Sequence, residues 1–297
     1  MNFEEFDPKI GVDGYCEAIH NVLHPNSTSS SVDASALKLE YRIYPKHSVF
    51  SRVRPIQPSD AQKFLAEAVT RKDFYPPNRS VAKVPMGRFN NQGERKLYLA
   101  DHPYVALKEC GIEPGDYFLF SYFSFNSDTF FIDANPNGSK FYQILNSLFQ
   151  SEDKRFYEVI NRIHEKYLDY KEFQGVAYNS VKVHKGQLDD AWGEIDSDTN
   201  LAIKENHMPS ADLVGGWFAQ CDENYRPRHL RIFKPLNPKK KNKLTSLRYH
   251  DNKSKFISEH TTTMKEINHL KEKSKLRIER KEYSDPQISP IKLLFKD

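Results

Sequence analysis

Hydrophobic and polar positions follow two different periods along the chain. Alternation with a period of two predicts β-strands, and spacings of three and four predict helices. The alternating or strand-like runs are VFSRV at 49–53, KLYLA at 96–100, DYFLFSYFSF at 116–125, VAYNSVKV at 176–183, NLAIKE at 200–205, ADLVGGWFAQC at 211–221 and HLRIFKPL at 229–236. The helical runs are 60–71, 102–110 and 141–169, the last forming two helices broken near Ser151. We therefore predict an α+β fold, with a compact core of short strands and flanking helices.

The two ends differ in composition from the middle. Residues 1–45 contain a Ser-rich stretch at 26–31 and are expected to form an N-terminal appendage. Residues 46–235 carry the predicted strands and helices and form the expected main domain. Residues 236–297 begin with a PKKKNK run and are expected to form a solvated basic tail, with one mildly helical segment at 264–281 that is suited to a partner.

Charge is distributed unevenly over the 297 residues, although the formal net charge is only +4. The tail from residue 236 holds 16 Lys and Arg against 8 Asp and Glu, a surplus of +8, so the preceding part carries −4. A slightly acidic body lacks the electrostatic footprint of a nucleic-acid enzyme, so nucleic acid is not expected as the main ligand.

Other patterns narrow the class of protein further. No run approaches the ~18 apolar residues of a membrane span, and the acidic start MNFEEFDPKI is unlike a signal peptide, so we expect a cytoplasmic protein that does not bind membranes.

Cys16, Cys110 and Cys221 are far apart, which favours reduced thiols. The 11 His residues show no metal-ligand spacing, so no metal is expected. A Rossmann glycine pattern is also missing, which argues against hydride transfer.

Candidate chemistry concentrates in PMGRFNNQGERKLYLADHPYVALKE, residues 85–109. Gly87 lets the backbone approach a ligand beside Arg88, while Phe89 and Asn90 add a flat face and an amide. Alternation places Tyr98 opposite the Leu side chains of its strand, where it could face a cleft. Glu109 ends the next predicted helix, and its carboxylate is either a solvated helix-end charge or a cleft residue.

A second group of candidates lies on two other predicted strands. Arg52 and Arg54 share one face of their strand. Such a pair either binds carboxylates or phosphates or belongs to an edge strand with a solvated face. Ser180 lies on the run that starts after Gly175, where a lone Ser is usually structural.

The order FSRVRP, GRFNNQGERKLYLADHPYVALKE, GVAYNSVK and NLAIKE resembles the RES-domain family, named for an Arg, a Glu and a Ser spread along the chain. The resemblance covers about residues 48–222. It implies catalytic roles for Arg52, Tyr98, Glu109 and Ser180, with Arg54 as the rival of Arg52 because both fit the Arg-x-Arg pattern. We also expect Arg54, Arg88, Phe89 and Asn90 to bind the substrate.

The resemblance implies a core like that of diphtheria-toxin-type ADP-ribosyltransferases and an enzyme that degrades NAD by phosphorolysis or hydrolysis. NAD is then the substrate rather than a cofactor, and inorganic phosphate is the candidate co-substrate. Toxins of toxin–antitoxin pairs belong to this family, so an antitoxin or other regulatory protein and a second copy of the chain are the expected partners, and a toxin or defence role follows. The chain departs from typical members by its extra residues at both ends.

These residue types suit that chemistry. Cleaving an N-glycosidic bond to a pyridinium passes through an oxocarbenium-like state that a carboxylate such as Glu109 stabilises. Arg52 and Arg88 could bind the pyrophosphate, Tyr98 could stack on nicotinamide, and Ser180 could donate to a ribose or phosphate oxygen.

Two other functions remain alternatives. One is transfer of ADP-ribose to a macromolecule, against which stands Leu107, since transferases to proteins often carry an acidic residue or Gln two positions before the catalytic Glu. The other is a non-catalytic module that binds a nucleotide or a partner.

Overall fold

The computed structural model describes residues 2–24, 34–77, 84–236, 243–280 and 291–295. Its α-helices are α1 (Gly11–Leu23), α2 (Ala61–Ala66), α3 (Pro103–Glu109), α4 (Lys140–Phe149), α5 (Tyr157–Ile163) and α6 (Lys253–Glu279). Its strands are β1 (Ala34–Lys38), β2 (Tyr41–Tyr44), β3 (Val49–Ile56), β4 (Lys96–Ala100), β5 (Tyr117–Phe125), β6 (Thr129–Asp133), β7 (Gly175–Asn179), β8 (Leu188–Asp189), β9 (Gly193–Glu194), β10 (Thr199–Lys204), β11 (Ala211–Cys221), β12 (Pro227–Pro235), β13 (Leu244–Arg248) and β14 (Ile291–Phe295). The fold is therefore mixed α+β.

A ten-stranded sheet in the order β13-β12-β11-β5-β3-β4-β10-β7-β6-β2 organises the described residues. Its pairs are antiparallel except β6 with β7. The middle pair differs from its neighbours, because β3 and β4 meet through one register position, Ser51 opposite Ala100. The Ser51 hydroxyl donates to the Ala100 carbonyl over 2.9 Å. The sheet is thus split into two halves of five strands that separate beyond this junction.

Alternation in the sequence gives the sheet its two buried faces. In β3, Phe50 and Ile56 pack on one face with Phe64 and Phe74, whereas Val53 packs on the other face. A third cluster joins α1, α4 and α5 to the half-sheet that contains β7. Because both faces of the sheet are covered, a polar side chain on a central strand such as β3 has to find a partner or a cavity.

Most predicted elements are confirmed, and the differences are local. The run at 60–71 forms only the short helix α2, followed by a 3₁₀ turn at Arg71–Phe74. The predicted strand at 176–183 ends at Asn179, so Ser180 lies in the turn after β7 rather than on a strand. The break near Ser151 is present, and α5 continues into a π-helical turn at His164–Leu168.

The N-terminal segment packs on the main body instead of standing apart as an appendage. Helix α1 buries Tyr15 and Ile19 in the same cluster as α4 and α5, and β2 pairs with β6 at the end of the sheet. The predicted Ser-rich loop at 26–31 lies outside the described residues. Apolar contacts therefore join residues on both sides of the expected boundary at 45.

The expectation of a solvated tail does not hold for residues 244–279. Strand β13 extends the sheet beside β12, and α6 packs against it along one face. The residues of that face recur at alternating spacings of four and three; they are Phe256, His260, Thr263, Ile267, Leu270, Ser274 and Arg277. Most of the PKKKNK run lies outside the described residues. Because several positions of this face are polar, the apolar pattern of α6 is weak in the sequence although Phe256 and Ile267 are buried.

One buried imidazole gives the fold a testable acid response. His164 is 4% exposed, and burial, reinforced by the charge of Lys96, lowers its pKa from 6.5 to about 3. The unfolded chain therefore binds more protons between about pH 3 and 6.5, and the free energy of unfolding falls as the pH falls through that window. We expect His164→Leu to remove up to ~1.4 kcal/mol of this loss per pH unit.

Urea unfolding at pH 7, 5.5 and 4.5 measures this effect. The control is His184→Leu, because the His184 side chain is exposed. An acid dependence that is the same in the His164 variant as in the parent would show that this imidazole does not carry it.

None of the helices in the described ranges is both long enough and apolar enough to cross a membrane.

Candidate active site

A cavity of about 350 Å³ opens where the two half-sheets separate. It receives side chains from strands of both halves, from the loop before β4 and from the ends of α3 and α5. The lining residues are Ser51, Arg52, Val53, Arg54, Pro55, Gly87, Arg88, Tyr98, Leu99, Ala100, Ala106, Glu109, Cys110, Tyr157, Tyr178 and Asn200. Five of the sequence candidates, Arg52, Arg54, Arg88, Tyr98 and Glu109, therefore share one cavity.

Glu109 is held by one oxygen of its carboxylate. Its Oε1 accepts from the Ser180 hydroxyl at 2.6 Å, from the Val181 N–H at 3.3 Å and from the Asn200 amide at 3.3 Å. No hydrogen bond to Oε2 occurs within the described residues, and Glu109 lines the cavity. Of the two sequence interpretations, the structure favours the cleft residue, since three donors fix the carboxylate while one oxygen stays available.

Arg52 and Arg54 are both attached to the 3₁₀ turn at Arg71–Phe74. Arg52 Nη1 donates to the Phe74 carbonyl at 3.0 Å, and Arg54 Nη1 donates to the Asp73 carbonyl at 2.7 Å. The β4 side of β3 is unpaired beyond Ser51, yet Arg52 and Arg54 do not form the solvated face that was the alternative, because both side chains are partly buried. Burial lowers the pKa of Arg52 to about 10, so this guanidinium is charged at neutral pH.

Close packing at Gly216 supports that turn. A Cβ on Gly216 would lie 2.2 Å from the Phe74 ring, which is fully buried. Because Gly216 of β11 has no side chain, the Phe74 ring can pack against it, and the Phe74 carbonyl is then placed to accept from Arg52.

Tyr98 is fixed by the loop that precedes its strand. Its hydroxyl donates to Asn90 Oδ1 at 2.9 Å and accepts from the Phe89 N–H at 3.1 Å. Gly87 permits this arrangement, because a Cβ there would lie 2.3 Å from Asn90 Oδ1. The Asn161 amide holds the loop from α5 by donating to the Gly87 carbonyl at 3.0 Å.

Phe89 and Asn90 lie behind the cavity wall, which corrects their expected contact with substrate. Phe89 is 1% exposed and packs edge-on against Phe149, and neither Phe89 nor Asn90 lines the cavity. Both residues orient Tyr98 instead. A flat apolar side chain beside a Gly-rich turn gains more by core burial than by exposure, which the sequence spacing does not reveal.

Arg88 lines the cavity but is already engaged. Its Nη1 donates to the Phe149 carbonyl, and its guanidinium lies over the Tyr157 ring, 5.6 Å from the centroid. Its charge still contributes to the cavity, where three arginines accompany one carboxylate. Such a surplus of positive charge attracts anionic ligands.

Ser180 contacts Glu109 rather than the cavity. It is 1% exposed, donates to Glu109 Oε1, and its Oγ accepts the backbone N–H groups of Lys182 and Val183 at 3.1 Å each. Ser180 therefore positions the Glu109 carboxylate instead of making the expected hydrogen bond to a ribose or phosphate oxygen.

The lining residues that were not singled out in the sequence as site residues include Cys110, Tyr157, Tyr178 and Asn200. Cys110 donates through Sγ to the Val53 carbonyl at 3.3 Å, and burial raises its pKa to about 11, so it stays a neutral thiol. Tyr178 and Asn200 are register partners on β7 and β10, and Asn200 also lies opposite Ala100. Only strand pairing brings them to Glu109, so no local pattern could have found them.

The chain matches no protein-family model, no curated protein and no solved structure. Its function therefore has to be argued from the site. The described residues contain no group of three or more His, Cys, Asp or Glu side chains that could hold a metal ion.

Proposed function

We propose that this chain cleaves the bond between nicotinamide and ribose in NAD, by hydrolysis or by phosphorolysis. The observation that carries the proposal is the Glu109 carboxylate, which is fixed through Oε1 and faces a cavity lined by Arg52 and Arg54. A carboxylate beside cationic side chains fits a substrate with a cationic reacting ring and an anionic pyrophosphate.

In this reaction the bond from ribose C1′ to the pyridinium nitrogen breaks, and its electron pair neutralises the ring. Positive charge grows on the ribose at the same time. A free carboxylate oxygen stabilises that charge or holds a ribose hydroxyl, which is the role we assign to Glu109 Oε2. An oxygen of water, with loss of its proton, or of phosphate then forms the new bond to C1′.

The remaining side chains suit binding and orientation. The N–H groups of Arg52 and Arg54 that do not donate to the turn are available to the pyrophosphate. The Tyr98 ring contributes a wall on which nicotinamide could stack, because its hydroxyl is held from behind.

The split sheet supports the finer fold proposal of an ADP-ribosyltransferase-like core. Two half-sheets that separate at a single junction leave a cleft for an elongated ligand, and all proposed reacting groups lie in that cleft. A toxin or defence role with an antitoxin as partner, and assembly with a second copy, rest on the resemblance alone and remain predictions.

Transfer of ADP-ribose to a macromolecule is less well supported. Leu107, two positions before Glu109, is fully buried in the core and cannot contact an acceptor. Degradation of NAD needs only a small nucleophile and so makes no demand on that position.

The direct test incubates the purified protein with NAD, in the presence and in the absence of phosphate, and measures how much NAD remains. We expect release of nicotinamide, with ADP-ribose as product if water attacks and phosphorylated ADP-ribose if phosphate attacks; mass spectrometry identifies which. NAD that stays intact under both conditions contradicts the proposal. Labelled ADP-ribose on protein or nucleic acid in a lysate would instead support transfer.

A second test compares the two arginines of β3. We expect Arg52→Ala to raise the KM for NAD by about 10–100-fold, more than Arg54→Ala does, because loss of a charge-assisted hydrogen bond in a buried site costs roughly 1.5–3 kcal/mol. Steady-state kinetics of both variants measures the difference. A larger effect for Arg54→Ala would move the principal anion contact two residues along the strand.

A further inference from the structure

A second cavity adjoins the proposed active site. It measures about 620 Å³ and shares Arg54 with the first cavity as a common wall. We call it the proline-lined cavity. Its lining residues are Arg54, Lys63, Arg71, Lys72, Asp73, Tyr75, Pro76, Pro77, Arg95, Glu205, Met208, Pro209 and Asp212.

The first cavity is small for a whole dinucleotide. Its volume of about 350 Å³ lies near the lower end of the ~300–1,000 Å³ typical of ligand pockets, and the reacting groups occupy its walls. A substrate with two nucleoside halves therefore needs a second space beyond the arginine that borders both cavities.

The charges of the proline-lined cavity favour an anion. Five cationic and three acidic side chains line it, a surplus of two positive charges. Arg71 pairs with Asp212 at 2.6 Å and Arg95 pairs with Glu205 at 2.8 Å. Lys72 is exposed and has no ion-pair partner among the described residues, so its ammonium is available to a ligand.

The apolar part of the lining suits a planar base. Pro76, Pro77 and Pro209 present rigid rings, and Met208 adds a polarisable side chain. Polar groups stand beside these apolar ones, since the carboxylates of Asp73 and Glu205, paired with Lys63 and Arg95, also line the cavity. A mixture of apolar walls and a few polar groups is typical of small-molecule sites.

We propose that the proline-lined cavity binds the adenylate half of the dinucleotide, with Arg54 at the pyrophosphate between the two cavities. This inference rests on the proposed function, because it extends the same substrate from the reacting half to the other. It assigns specificity for a dinucleotide to residues that take no part in bond cleavage.

Calorimetric titration with two probes tests it. Adenosine monophosphate carries only the adenylate half, and nicotinamide mononucleotide carries only the reacting half. We expect Lys72→Glu to weaken binding of adenosine monophosphate about tenfold and to leave binding of nicotinamide mononucleotide within twofold of the parent. The matched control is Lys140→Glu, an exposed lysine on α4 outside both cavities, which should change neither affinity.

The outcomes separate this inference from the proposed function. Adenosine monophosphate that fails to bind the parent, or a Lys72→Glu variant that weakens both probes equally, overturns the assignment of the second cavity. NAD cleavage, measured independently on the same proteins, decides the proposed function. Equal melting temperatures of the three proteins show that the fold is unchanged.

Discussion

Replacing Glu109 by Gln is expected to reduce the rate of NAD cleavage by about 10²-fold or more while leaving the melting temperature unchanged. Gln keeps an oxygen that can accept from Ser180, Val181 and Asn200, so the local hydrogen bonds survive. Its amide nitrogen then replaces the free oxygen, which removes the negative charge opposite the developing oxocarbenium ion. Such an electrostatic contribution is commonly worth ~3 kcal/mol.

Nicotinamide release under saturating NAD measures the effect, with thermal melting as the check on the fold. Glu223→Gln is the control, since Glu223 is exposed in the turn between β11 and β12. A Glu109→Gln variant that cleaves NAD at the parent rate would remove this carboxylate from the mechanism.

The second large effect concerns the C-terminal segment. A chain that ends at Leu236 lacks β13 and α6, and we expect it to aggregate or to lose cooperative unfolding. Trp217 and Ile232, both 1% exposed or less, belong to the cluster that Phe256 and Ile267 complete. Uncovering such a surface costs about 25 cal/mol for each Å² of apolar area returned to water.

Point substitutions in α6 separate the loss of its packing against the sheet from the effect of shortening the chain. Ile267→Ala should lower the free energy of unfolding by about 2–5 kcal/mol, because Ile267 is fully buried. Ile278→Ala on the same helix should change it by less than ~0.5 kcal/mol, because Ile278 is 54% exposed. Denaturant titration of both variants and size measurement of the shortened chain are the readouts. A shortened chain that stays monomeric with an unchanged melting temperature would show that α6 is dispensable.

Secondary structure was predictable where burial follows one period over several residues. KLYLA forms β4 at the predicted residues, and the alternation in β5 and β11 matches the pairing of those strands. Helix α6 was underestimated because its buried face includes Thr263 and Ser274. Helix α6 approaches β11 closely at Thr263, since a Cβ on Gly215 would lie 2.6 Å from the Thr263 methyl group. A small side chain is therefore required at this position of the helix.

The site was predictable only in part. Arg52 and Tyr98 could be singled out by alternation on their predicted strands, and the resemblance added Glu109 at the end of the following helix. The sequence did not show that Ser180 lies behind Glu109 or that Asn90 lies behind Tyr98. The direction of a side chain in a turn depends on contacts with distant strands. Asn200 reaches Glu109 through the register of three strands, information that no single segment contains.

The single junction between the half-sheets bears on the rate at which the chain folds. The cavity needs Arg52 from β3 and Asn200 from β10, and β3 itself is paired with β5, whose other neighbour is β11. Arg52 and Asn200 are 148 positions apart in the sequence, so the cavity forms only when β3, β4 and β10 have all taken their places in the sheet. Assembly from such distant segments raises the contact order, and folds dominated by long-range pairing fold slowly.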